Sequence, residues 1–123
     1  MKKIIGLFLL LFSINGYCDW VNVGESDDGN YTTYVDFNTK KTVGGYIRVW
    51  TLMDMKKPEG NIKSLIALEE FDCSADRKRT IQLTGYKDSM GAGGTVGTEE
   101  GSKRWTYVIP NSLIDIMYKS VCK

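Results

Sequence analysis

The chain carries no histidine in its 123 residues. That absence removes the commonest general base, the commonest metal ligand and the usual serine or cysteine triads. Cysteine is scarce as well, with Cys18, Cys73 and Cys122 the full set. Spanning a bilayer takes about 20 consecutive apolar residues, and the longest apolar run, Ile4 to Phe12, is shorter and holds Gly6. A basic excess is also missing. The sixteen Lys and Arg include Lys2 and Lys3, and without those two, fourteen face fifteen Asp and Glu, a net charge of −1. Nucleic-acid binders draw affinity from phosphate contacts and carry the opposite balance, so no nucleic-acid partner is expected.

What stands at the start is a leader. Met1-Lys2-Lys3, the apolar run and the small, polar stretch Ser13 to Gly16 have the three parts of a secretory signal peptide. Residues 1–18 are therefore set aside, and residues 19–123 are expected to form one domain. Cys18 sits at the junction. A lipid anchor there wants an apolar residue three places before the cysteine and Gly, Ala or Ser just before it, but Asn15 and Tyr17 hold those places. Cleavage after Cys18 finds small residues at both key positions, Gly16 and Cys18. Cleavage after Gly16 competes and would leave an odd thiol. With Cys18 gone, Cys73 and Cys122 remain. An even pair in an exported chain reads as a disulfide, against the alternative of two unrelated buried thiols.

The rest of the chain reads mostly as strands. "DWVNVG" is a short extended run ending at Gly24, and Asp28-Gly29 in "SDDGN" signals a hairpin. "YTTYVDF" is a strand and "NTKKTVGG" a turn. "YIRVWTLMDM" alternates, with Ile47, Val49, Thr51 and Met53 on one face and Tyr46, Arg48, Trp50 and Leu52 on the other, so it is placed centrally. "KKPEGN" breaks the chain. "IKSLIALEEFDC" and "RKRTIQLTGYKD" read as strands joined through "SADR", the second with Thr80 and Thr84 outward. "SMGAGGTVGTEEGSK" reads as a mobile loop, and "RWTYVI" as a last strand. "PNSLIDIMYKSVCK" turns helical, capped by Asn111 or Ser112 with Asp115 three places on. Leu113, Ile116, Met117 and Val121 supply its apolar stripe. The expected fold is α+β: an antiparallel sheet of about six strands with one C-terminal helix. A disulfide would tie the end of that helix to the strand ending at Cys73.

Few groups invite chemistry. Glu69 and Glu70 are strand neighbours and point to opposite faces, whereas Glu70 and Asp72 share one. A solvated edge explains that pair better than acid–base work does. Asp27 and Asp28 lack the spacing of a calcium loop and suit a hairpin turn. "GAGGTVG", Gly91 to Gly97, has Val96 where a dinucleotide fingerprint needs glycine, and no helix follows. "SVCK" at the terminus has the letters of a Ser-x-x-Lys motif without its companions. In "RKR", Arg77 and Arg79 share a face and Lys78 takes the other. The run reads as a solvated hairpin end or as a contact for an anionic partner. Trp20, Tyr31, Tyr34, Tyr46, Trp50, Trp105 and Tyr107 fall on expected strands, and one helix cannot cover both faces of such a sheet. Some of these rings are left on an open face, where Tyr and Trp serve as binding anchors.

Taken in order, Trp20 to Gly24, "YVDFNT", "VWTLMDMKKP", "KSLIALEEFDC", "MGAGG", "WTYVIPNSLIDIMYKSVC" and the two cysteines resemble the bacterial surface-adhesin protein E family over nearly all of residues 19–123. The resemblance implies an antiparallel sheet with its C-terminal helix held by the Cys73–Cys122 bond. It also implies an exported Gram-negative protein, in the periplasm or at the outer-membrane surface, that binds a protein partner such as host extracellular matrix. It offers no catalytic, cofactor or metal residues to carry over, so no enzyme and no cofactor is expected. A periplasmic structural or regulatory role, as an inhibitor or assembly factor, is the alternative.

Overall fold

A computed structural model describes residues 19–123. The expected leader, with its cleavage and lipidation alternatives at Cys18, lies outside the described residues. Seven strands follow one another: β1 (Val21–Glu25), β2 (Tyr31–Val43), β3 (Tyr46–Glu59), β4 (Ile62–Asp72), β5 (Arg77–Tyr86), β6 (Thr95–Glu100) and β7 (Thr106–Tyr107). Among the described residues there is one α-helix, α1 (Leu113–Val121), at the C-terminal end. Every pairing is antiparallel, in the order β1-β2-β3-β4-β5-β6, and β7 pairs with the start of β5 beyond the end of β6. The sheet is thus six strands wide, as the alternation in the sequence implied.

Several boundaries differ from the sequence reading, each for a local reason. β2 does not stop at Phe37. Its register shifts between Asp36 and Lys41, and the strand then resumes to Val43. The polar Asn38-Thr39 pair that signals a turn stabilises this bulge instead. Thr39 Oγ1 donates to the Asp36 carbonyl (2.7 Å) and accepts the Trp50 N–H (3.0 Å), replacing a ladder bond. The actual turn is Gly44-Gly45, whose φ values of 60° and 85° suit a two-residue hairpin. β3 likewise runs on through Pro58, in a stretch where pairing with β4 is interrupted between Asp54 and Glu59.

The glycine-rich segment expected as a mobile loop is ordered. Ser89–Gly91 form a 3-10 turn tied down by Ser64, whose Oγ donates to the Asp88 carbonyl (2.6 Å) and accepts the Gly91 N–H (2.9 Å). The next residues form β6, because an edge partner for β5 outweighs the low strand propensity of Gly97. β7, by contrast, shrinks to two residues, and neither Trp20 nor Trp105 is in a strand.

α1 lies across one face of the sheet. Ser112 accepts the Asp115 N–H, and the Asp115 carboxylate reaches back to the Asn111 N–H (2.8 Å), as the capping residues implied. The buried stripe is shifted from expectation: Ile114, Met117, Tyr118 and Val121 pack on Val35, Val49 and Phe71. Leu113 and Ile116 lie instead against the bulged strand β1, near Gly24. Burying residues such as Val121 and Phe71 contributes about 1.5–3 kcal/mol each. At its end the helix is held twice. Cys122 is bonded to Cys73, and the Tyr118 hydroxyl donates to the Cys73 carbonyl (2.9 Å).

Candidate functional site

Among the described residues, no α-helix lies over the face of the sheet turned away from α1. Strand register organises it in rows. Asp72 stands opposite Arg77 in the first, and the second runs Arg48–Glu70–Arg79 across β3, β4 and β5. The third runs Asp36–Trp50–Leu68–Gln82, and the fourth Tyr34–Leu52–Ile66–Thr84. The 3-10 turn covers the far end of this face, where Gly91 packs on Ile66 and Leu52.

The second row is a charged clamp. Glu70 is buried, its side chain 1% exposed, and both of its oxygens are engaged. Arg48 donates to Oε2 from Nη2 (2.8 Å) and Nε (3.1 Å), and Arg79 donates to Oε1 from Nε (2.8 Å). Burial pushes the Glu70 carboxyl upward, but the hydrogen bonds and charges of the two arginines outweigh it and hold the group below its ordinary 4.5. Asp72 is bound similarly. Hydrogen bonds from Ser74 and then Arg77 hold it below 3.8.

Aromatic rings complete the array. Trp105 leaves the strand line and meets Tyr46 edge to face, with centroids 4.8 Å apart. The guanidinium carbons of Arg77 and Arg79 lie 4.5 Å and 4.3 Å from the centre of the Trp105 ring. Each such contact adds about 0.5–1 kcal/mol where solvent reaches it.

This arrangement decides between the readings of the sequence. Glu70 and Asp72 do share a face, but with their oxygens held by Ser74 and arginines the pair is a structural clamp rather than a poised acid and base. Arg77 and Arg79 are on one side and Lys78 on the other, yet Arg77 is paired with Asp72 and Arg79 shares Glu70 with Arg48, so the two arginines are ion-paired rather than a free basic patch. Lys78 pairs on the helix side with Glu69, to which Thr80 also donates (2.8 Å). Thr80 was expected to face the same way as Thr84. Ile81 bulges from β5 opposite the Leu68–Glu69 step, which pairs Thr80 with Glu69 and Thr84 with Ile66, so the two threonines lie on opposite faces. Asp28 accepts from Ser26 Oγ (2.6 Å) and the Asn30 N–H (2.9 Å), the hairpin role expected for it. After Gly91 to Gly97 comes strand, not helix, and Ser120 to Lys123 end α1. Arg48, Tyr46 and Trp105 are not legible as one group in the sequence, because only the sheet register and the return of the chain after β6 bring them together.

On the helix side, a cavity of about 90 Å3 lies between Ile114, Met117 and the sheet. Thr33 Oγ1 is buried beside it without a hydrogen-bond partner. A wider, shallow hollow of about 600 Å3 lies between β1 and the end of α1, near Val21, Phe37, Lys40 and Lys123. Among the described residues, no group of three metal-ligating side chains occurs, and no helix is long and apolar enough to cross a membrane.

Comparison with solved structures finds the same architecture. Haemophilus influenzae protein E superposes with a TM-score of 0.66 at 12% identity, covering 84% of this chain and 83% of that one. A second crystal form of it gives 0.63 at 11% identity, covering 84% and 86%. Protein E from non-typeable Haemophilus influenzae gives 0.63 at 12%, covering 84% and 74%. No curated protein matches the chain at a significant level. The family model described as surface-adhesin protein E matches residues 20–123, which is nearly all of the described chain. The chain therefore belongs to the surface-adhesin protein E family.

Proposed function

We propose that the protein is an exported binding module that acts at the cell surface as an adhesin and contacts host matrix proteins through the sheet face away from α1. The observation that carries this reading is the composition of that face. Half-buried Trp50, Tyr34, Tyr46 and Trp105 stand beside Arg48, Arg77 and Arg79 on a surface that no α-helix among the described residues covers. Trp, Tyr and Arg are the residues in which interface hot spots are enriched. The Glu70 clamp holds two of the arginines in place, so little side-chain entropy is lost when a partner docks. Membership of a surface-adhesin family supports the location and the binding role.

The test uses purified residues 19–123 on immobilised extracellular-matrix glycoproteins, with protease accessibility on intact cells as the second arm. Saturable binding that weakens about tenfold or more in Trp50→Ala/Tyr34→Ala, by a protein that protease removes from intact cells, supports the proposal. Absence of binding to every matrix protein, with the chain protected from protease, moves it to the periplasmic structural or regulatory alternative.

A further inference from the structure

The other face of the sheet carries a second surface, independent of the one just described. α1 covers β1 to β3 and the end of β4, and leaves the β5–β6 end open. There a groove of about 260 Å3 is lined by Ile62, Leu65, Leu83 and Val96, with Gly85 and Gly97 as its floor and Glu99 on its rim. The two glycines are paired across β5 and β6. A side chain at Gly85 would press on Ile62 at 3.1 Å, whereas one at Gly97 would meet nothing within 4 Å. Gly97 is thus a gap in the surface at a position with ordinary strand backbone.

The groove adjoins an unpaired strand edge. β6 pairs with β5 on one side and ends the strand order on the other. Gly101 donates its N–H to the Ile81 carbonyl (2.8 Å). By the alternation of an antiparallel ladder, Glu99 and Gly97 turn their backbone groups toward β5, and Thr98 and Glu100 turn theirs outward. The opposite edge, β1, is bulged at Asn22/Gly24 and lies against α1. Among the described residues β6 has no such cover, and it carries one carboxylate on each face: Glu99 opposite Leu83, and Glu100 opposite Gln82.

We infer that β6 is a docking edge for an extended peptide segment of a partner, antiparallel to it, with one aromatic residue facing Gly97 and a Lys or Arg two positions away facing Glu99. The ladder supplies affinity through the outward backbone groups of Thr98 and Glu100. A partner aromatic over Gly97 fills the gap and buries Leu65, Val96 and Ile62, as aromatic residues do beside cross-strand glycines. Glu99 selects the basic neighbour by charge.

The experiment titrates 15N-labelled residues 19–123 with the blocked peptide Thr-Lys-Thr-Phe-Thr-Lys-Thr to millimolar concentration and follows amide shifts. Expected are saturating shifts across residues 95–100 and at Leu65 and Leu83, with affinity reduced about tenfold or more in Gly97→Val, which occupies the gap. Glu99→Lys reduces it too, and an otherwise identical peptide with Glu for Lys does not bind. Spectra of the free variants matching the wild type outside β6 show that the fold is kept. Absence of saturating shifts, shifts centred on Trp50 and Arg48, or unchanged affinity in Gly97→Val overturns the inference. Matrix binding is a separate readout: it is lost in Trp50→Ala/Tyr34→Ala and kept in Gly97→Val, so either proposal fails without the other.

Discussion

Glu70 stands near the end of β4 with an arginine on the strand to either side, and the three form one row only because β3 and β5 are in register with it. Glu69 and Glu70 could be assigned to opposite faces from the sequence alone, since strand alternation is local. Their partners could not, because Arg48 is twenty-two residues away and register is a property of the assembled sheet. Since the folded carboxyl of Glu70 titrates below its ordinary 4.5, its contribution to stability is complete above that value and is lost as pH falls through the folded value. Asp72, held below 3.8, acts in the same direction. Thermal melts from neutral pH down to about pH 3 are expected to show a falling midpoint below roughly pH 4.5. Glu70→Gln loses about 1.5–3 kcal/mol at neutral pH through its charge-assisted bonds, and its stability falls less steeply in acid. A variant as stable as the wild type at neutral pH would show that the clamp is energetically idle.

Among the elements, α1 was the most legible. Its cap, Ser112 with Asp115, is a short-range pattern, and the structure uses it. The buried stripe was misplaced because Leu113 and Ile116, equally apolar, serve β1 rather than the core. The segment 87–94 was the least legible. Its glycines signal flexibility, but Ser64 and Asp54 hold it: Met90 donates its N–H to the Asp54 carboxylate (2.9 Å). Gly91 has a φ of 75°, and a methyl group there would come within 2.8 Å of Ile66 Cδ1. Gly91→Ala is expected to cost about 1–3 kcal/mol from backbone strain alone. Faster amide exchange at residues 88–92 would mark the turn lifting from the sheet, and unchanged exchange and stability would show that the turn is not held by its fit.

At the scale of the whole domain, the width of the sheet, the C-terminal helix and the cysteine pairing follow from alternation, helical spacing and the pair of thiols left once Cys18 is set aside with the expected leader. The bulges at Asn38-Thr39 and at Ile81 do not follow, since a strand with one extra residue looks locally like a turn or like unbroken alternation. The Cys73–Cys122 bond spans 49 residues, so the chain-entropy model assigns it about 4 kcal/mol. Cys73→Ser/Cys122→Ser should lower the unfolding free energy measured in urea by that amount and shift the midpoint accordingly, and an unchanged midpoint would show that Tyr118 and the core suffice to hold α1.

That same bond has a topological consequence. It turns β5, β6, β7 and α1 into a covalent ring, with β1 to β4 as a tail entering at Cys73. A protease cut anywhere in the ring, including the exposed stretch from Ser102 to Arg104, opens the ring without freeing a fragment. A nicked molecule would keep both proposed surfaces on one particle until a reductant reaches the sulfurs, so the two would be lost together only where the surroundings are reducing.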